Sequence, residues 1–387
     1  MNIVAAEEVG FDQERLARLT TAITNDTAQQ KYDGAVVVVA RSGAVILQEA
    51  IGFADRANNR TAHLDDVFCL FSVTKTLTAT AVLQRVDRGE LALTNRVADL
   101  VPEFGCKGKQ RVTVAQLLSH MGGMSAGFPP VAPQDLGNLA AVVTAVCQQG
   151  PEALPGSEVC YSPITAHAML AEIVRRLDGG ERSFREILAA EVLKPLQMKD
   201  TALGLPDRLA RRRVPIVVRD RSEGLFPPEA LESFNSLLKE DCEIPAGGAV
   251  GTATDIFRFA EMLRLDGELD GARVLSPAMI ELATSNHTGL MPNGLWNYAR
   301  ELRGWDEFPA YLGLSFFLRG TGIFPTYFGT MASPSTFGGM GAGSTIFWVD
   351  PERDVTFVCL TAGLLEESKS LERFQRLSDL VHAALVD

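Results

Sequence analysis

Ser72-Val73-Thr74-Lys75 sets a hydroxyl and an amine three residues apart. On a helix, side chains at that spacing share a face, so the Lys75 amine can reach the Ser72 hydroxyl. A serine hydroxyl is a weak nucleophile at neutral pH until a neighbour takes its proton. At the first turn of a helix the N–H groups point outward and the dipole is positive, which favours a developing oxyanion. The tetrad thus offers a nucleophile, its activator and part of the charge stabilisation for acyl transfer.

Context separates this tetrad from a second one, Ser236-Leu237-Leu238-Lys239. After Ser72 come Leu77, Ala79, Ala81, Val82, Leu83 and Val86, an apolar-rich helix ending at Gly89. Ser236 instead runs into Glu240-Asp241-Cys242-Glu243 and reads as an ordinary surface position. Taken alone, Ser72 would also suit a helix N-cap beside a solvated lysine. A Ser/Lys pair needs a third group to deliver a proton to the leaving group, and a tyrosine or a carboxylate would serve. Tyr161, one of five tyrosines, stands at the head of a helix after Pro155-Gly156. Read by itself, it is more readily an aromatic that anchors a loop. Gly123-Met124-Ser125-Ala126-Gly127 fits a nucleophile elbow in letters only, because a helix precedes it and Pro129-Pro130 follows, so Ser125 is a loop serine. His287-Thr288-Gly289 reads as a helix end.

The elements that must position these residues follow from hydrophobic periodicity. Helices are expected over about 11–30, 114–120, 139–149, 165–176, 184–193, 254–265, 277–286 and 371–386, besides the one opened by Ser72. Segments 33–40 and 44–53 flank Arg41-Ser42-Gly43 as an antiparallel hairpin. Strands return at 311–318, 344–349 and 355–361, with Pro351-Glu352-Arg353-Asp354 as a turn. Strands at both ends with helices between suggest one sheet built from both termini, an α/β (α+β) fold. Residues 1–90 and 240–387 would form the sheet lobe, and 91–239 an inserted all-helical lobe. A cleft between lobes is a common place for a site.

The 387 residues are 46% hydrophobic and 22% charged, as in a water-soluble globular protein, and carry a net charge of −12. No basic patch favours nucleic acid, and the short basic run 208–213 reads as a solvated face. No stretch is long enough to span a membrane. The start of the chain lacks the basic and apolar regions of a secretory signal, so a cytoplasmic location is expected. Six scattered cysteines without C-x-x-C, and five histidines without ligand spacing, predict neither disulfides nor a metal site, and no cofactor is expected.

Residues 71–79 (F-S-V-T-K-T-L-T-A) resemble the nucleophile motif of the serine β-lactamase and penicillin-binding protein superfamily. Within it, the similarity is to the branch holding class C β-lactamases, D,D-peptidases, family VIII carboxylesterases and acyltransferases. Residues 155–163 (P-G-S-E-V-C-Y-S-P) resemble that branch's tyrosine motif, and 117–124 (L-L-S-H-M-G-G-M) its L-L-x-H-T-S-G-L segment. Residues 245–255 (P-A-G-G-A-V-G-T-A-T-D) and 337–351 (F-G-G-M-G-A-G-S-T-I-F-W-V-D-P) resemble two further segments, the latter the third catalytic strand. The five matches run in order over nearly the whole chain. The resemblance implies a β-lactamase/transpeptidase-like fold, an antiparallel sheet flanked by helices plus an all-helical lobe with the site between them, and Ser72 as nucleophile with Lys75 and Tyr161 as a coupled base pair.

Two departures bear on the substrate. The β-lactamase and peptidase members carry Tyr-x-Asn, whereas here Pro163 holds the third position. The third motif, Lys-Thr-Gly, His-x-Gly or Trp-Gly-Gly elsewhere, falls without gaps on Gly339-Met340-Gly341, with Ala342 as the second oxyanion N–H donor beside Ser72. A register two residues earlier would use Phe337-Gly338-Gly339, with Met340 as donor. In either register the cation that holds a substrate carboxylate is missing. The resemblance therefore implies a serine hydrolase acting on a small carboxylic ester or thioester. Acyl transfer to a non-water acceptor is the alternative, and an inactive binding module a third. Gly339 is expected to leave room for a bulkier neutral substrate group.

Overall fold

The computed structural model describes residues 3–386. Seven strands form one antiparallel sheet: β1 (Gly34–Arg41), β2 (Ala44–Asp55), β3 (Arg60–Thr61), β4 (Phe317–Leu318), β5 (Phe337–Gly341), β6 (Thr345–Asp350) and β7 (Val355–Ala362). Their spatial order is β3-β2-β1-β7-β6-β5-β4, so the two ends of the chain meet where β1 pairs with β7. The β1–β2 hairpin turns through Ser42 and Gly43, both with positive φ (51° and 79°). Two left-handed residues match the twist of the flanking strands.

The central strands are buried on both faces, which is why β1 reads Ala35-Val36-Val37-Val38-Val39-Ala40 without polar alternation. Ala35, Val37 and Val39 join one apolar cluster with side chains of α1 (Gln13–Ala28) and α5 (Glu367–His382). Val36, Val38 and Ala40 join a second, with α2 (Val73–Asp87) and α4 (Ala253–Arg264). α5 begins earlier than its apolar period suggests because the Glu366 carboxylate caps it, accepting the N–H groups of Ser368 and Lys369 at 3.0 and 3.4 Å.

α2 is buried along its length from Val73 to Arg85. Its polar side chains are buried with bonded partners, as Thr78 with Pro245 O and Thr80 with Thr76 O, and α2 packs against both β5 and α3 (Thr165–Leu177). Segment 91–239 supplies helices that cover α2. It is tied back by Ala202–Leu203, which pairs with Ala249–Gly251 beside Phe68–Cys69.

Segment 311–318 is not the strand its composition suggests. Only Phe317 and Leu318 pair with β5, while Tyr311 and Ser315 have φ of 45° and 67°. The intervening main-chain donors are taken elsewhere: Leu312 N–H by Thr288 Oγ1, Leu314 N–H by Ala283 O and Ser315 N–H by Leu118 O. The helix at 184–193 is α-helical over Phe184–Leu188 and continues as a π turn over Ala189–Leu193. The helix after Pro277 stops at Ala283, ahead of His287.

Candidate active site

Ser72 is the N-cap residue of α2 and follows a strained position, since Phe71 has φ of 44°. Phe71 is held there by its ring against Phe234 at 5.5 Å and by the approach of β5. That approach requires glycine at 341, where a Cβ would lie 2.3 Å from Leu70 O and 3.0 Å from Phe71 Cβ. Thr345 Oγ1 donates to Leu70 O at 3.0 Å and closes the contact.

The tetrad and the tyrosine converge. Lys75 Nζ lies 2.9 Å from Ser72 Oγ, and the Tyr161 hydroxyl donates to the same oxygen at 2.9 Å. Lys75 Nζ also donates to the carbonyls of Pro163 and Ala246, each at 2.9 Å, and sits 5.1 Å from the Tyr161 ring centroid. Lys75 and Tyr161 are both buried. Burial pushes the Lys75 amine down from 10.5 to about 7. It pushes the Tyr161 phenol up to about 12, against the hydrogen bond to Ser72, which lowers it.

The 245–251 segment therefore does what the letters alone did not say: the Ala246 carbonyl orients Lys75. Thr74 and Thr78 dock the same segment on α2, as Ala249 N–H donates to Thr74 Oγ1 and Thr78 Oγ1 donates to Pro245 O. The Pro163 carbonyl acts from the other side. Main-chain acceptors have no side-chain signature, so pattern reading misses them. His120 is the other group that sequence reasoning left without a task. Its ring lies 4.5 Å from that of Tyr161, and together with Leu118, Leu312, Ser315, Phe316 and Phe317 it borders the small pocket beside Ser72.

Gly339 also borders this pocket, but its Cβ direction is filled. A Cβ there would lie 2.8 Å from the Phe347 ring and 2.9 Å from Thr76 Cγ2, so the expected room for a bulkier substrate group is absent in that direction. Met340 turns its side chain to the opposite face of the sheet, into the cluster with α1 and α5. It pairs with Ile346 inside the ladder, whereas Ala342 follows the last ladder pair, Gly341 with Thr345.

The decoys lie apart from this cluster. Ser125 sits in a loop and donates to Glu152 Oε1 at 2.5 Å. Ser236 is exposed and donates to Ser233 O. His287 contacts Leu282 O in the loop after its helix. Among the described residues, no group of three or more His, Cys, Asp or Glu could hold a metal ion, and no helix is long and apolar enough to cross a membrane.

Known proteins share this architecture. The chain is 33% identical over 272 residues to penicillin-binding protein 4 of Amycolatopsis lactamdurans, covering 68% of this chain and 69% of that one. It is 26% identical over 381 residues to the esterase/beta-lactamase LipL of Mycobacterium tuberculosis, covering 92% and 83%. A penicillin-binding protein homologue from Caulobacter crescentus superposes with a TM-score of 0.76 at 26% identity, over 97% of this chain and 99% of that one. The sequence model of the Beta-lactamase family matches residues 19–380, and the chain belongs to that family of serine enzymes.

Proposed function

We propose that the protein hydrolyses a carboxylic ester or thioester through an acyl-enzyme on Ser72. The observation that carries this reading is the pair of 2.9 Å contacts that Lys75 Nζ and the Tyr161 hydroxyl make to one oxygen, Ser72 Oγ. A neutral lysine has two N–H donors and one lone pair. The Pro163 and Ala246 carbonyls can only accept, so they take both donors, and the lone pair is left for the Ser72 proton. With its pKa brought to about 7, Lys75 is neutral often enough to act as first base. Tyr161 stays protonated and is suited to giving a proton to the leaving group.

In the forward step Ser72 Oγ bonds to the substrate carbonyl carbon while its proton passes to Lys75. The oxyanion is stabilised by the N–H groups of Ser72 and Ala342. The ungapped third-motif register is favoured because Ala342 stands in the turn beyond the ladder while Met340 is inside it. The bond to the leaving oxygen or sulfur then breaks, and Tyr161 supplies its proton. The proton on Lys75 restores the pair to its starting state. Water repeats the sequence in reverse and frees the acid.

An ester or thioester is favoured over a β-lactam by the uncharged stretch Gly339-Met340-Gly341 and by Pro163 in the tyrosine motif. Labelling with a fluorophosphonate probe and mapping the peptide tests the assignment. Label on Ser72, lost in Ser72→Ala and kept in Ser125→Ala and Ser236→Ala, is the expected result. Label on Ser125, or none at all, overturns it, the latter in favour of an inactive binding module. Product analysis with and without added alcohols separates hydrolysis from acyl transfer.

A further inference from the structure

One residue grips the Tyr161 segment from both sides. The His120 carbonyl accepts the Cys160 N–H at 2.9 Å, and His120 Nδ1 accepts the Ser162 N–H at 3.2 Å. Between these two bonds the Tyr161 ring lies against the His120 ring, with centroids 4.5 Å apart and planes 33° apart. His120 achieves this from a left-handed backbone, φ 57°. Such a conformation is strained in a residue other than glycine and persists only where the surroundings impose it.

His120 is suited to a fixed, uncharged task. It is 5% exposed, and burial together with the charge of Lys75 pushes its imidazole down to about 3. It therefore keeps the Nδ1 lone pair that the Ser162 N–H needs, with the ring proton on Nε2. An imidazolium would give up that acceptor and face Lys75 with a like charge. His167, 5.5 Å behind it, is likewise held well below the usual imidazole range by burial and adds no charge.

We propose that His120 is a positioning residue for Tyr161, its Nδ1 acceptor fixing the Ser162 backbone so that the phenol is aimed at Ser72 Oγ. This rests on the reading of Tyr161 as the proton donor. Two substitutions divide the contributions. His120→Phe keeps a ring but strands the buried Ser162 N–H, a loss that falls on the backbone beside Tyr161. His120→Asn keeps an acceptor close to the place of Nδ1 and tolerates the left-handed backbone.

The experiment measures kcat, KM and thermal melting for the wild type, His120→Phe and His120→Asn, each also combined with Tyr161→Phe, on a neutral aryl ester. His120→Phe is expected to lower kcat by about tenfold or more with KM within about twofold, and His120→Asn to recover most of the loss. In the Tyr161→Phe background, His120→Phe should cost less than about twofold, because the group it positions is gone. Full multiplication of the two losses overturns the proposal. So does an equal loss in His120→Asn and His120→Phe at unchanged melting temperature. Wild-type kcat in Tyr161→Phe alone would instead remove the acid role of Tyr161 itself, and the proposal with it. Should His120→Phe not fold, His120→Ala is read against His120→Asn in the same cycle.

Discussion

Lys75 Nζ lies 2.9 Å from the main-chain oxygen of Pro163. The related β-lactamases and peptidases carry asparagine at this place in the tyrosine motif, and proline cannot offer a side-chain amide. Here the backbone holds the lysine, so the amine is oriented by two carbonyls that no side-chain deletion removes. Pro163→Ala should accordingly keep most of the activity, measured as kcat/KM on a neutral aryl ester. A loss of a hundredfold would show that the ring of Pro163, not its carbonyl, is what the site needs.

The pH dependence follows from the depressed Lys75 pKa. Protonated Lys75 has no lone pair, so kcat/KM for an uncharged ester should fall as pH drops through about 7 and level off above it. Stability runs with the same sign. The unfolded chain holds the lysine proton up to about 10.5 and the folded protein only up to about 7, so the unfolded state binds more protons between these values. The contribution of this group is full above 10.5 and is lost as pH falls to 7. Lys75→Met should remove that dependence, and the melting temperature of the variant relative to wild type should rise from pH 10 to pH 7. A pH-rate profile flat from 5 to 9 would exclude Lys75 as the base.

Lys75 and Tyr161 both contact one oxygen, Ser72 Oγ, and should behave as one unit. Lys75→Ala and Tyr161→Phe are each expected to lower kcat by about a hundredfold or more. The double variant should lose little beyond the worse of the two. Rate losses that multiply in full would mean that each group acts alone.

The strongly patterned parts of this chain were legible before its structure. The β1–β2 hairpin shows in its Ser42-Gly43 turn, and α2 in its apolar-rich run from Leu77 to Val86. Ser72 and Lys75 were candidates from their spacing and Tyr161 from the resemblance, and the structure brings the three side chains together. The Pro163 and Ala246 carbonyls were not legible, since any residue carries one. Segment 311–318 misled because its apolar content serves burial, while its main-chain donors are spent on Thr288, Ala283 and Leu118. His120 lay in plain view, but its task depends on a left-handed backbone that the sequence does not announce at a histidine.

Residues 339–341 carry no charge, and the nearest ionisable groups are already committed. Lys75 is spent on Ser72 and two carbonyls, and burial keeps His120 neutral. A substrate carboxylate therefore has no side-chain cation to pair with at these positions. Penicillins and cephalosporins, which carry such a carboxylate, should be turned over slowly or not at all compared with neutral aryl esters. Steady-state assays of both classes decide this, and efficient cephalosporin hydrolysis would overturn the ester reading.

Gly339 is a packing position more than a specificity position. The space a side chain would need lies between the Phe347 ring and Thr76 Cγ2, both fully enclosed in the interface of β5 and β6 with α2. Phe347 cannot swing away freely, because its ring packs edge-on against Phe259 with centroids 5.7 Å apart. Gly339→Ala should therefore destabilise the protein by about 1–3 kcal/mol, the usual cost of overpacking a filled core. It should lower activity on small and bulky esters alike. Trimming the obstacle should reverse part of the loss, so Gly339→Ala with Phe347→Leu should melt above the value expected from adding the two single effects. Thermal melting of the four proteins, with kcat/KM for an acetyl and a branched ester, gives both readouts. An alanine variant of unchanged stability that discriminates against the branched ester would instead mean that position 339 faces the substrate.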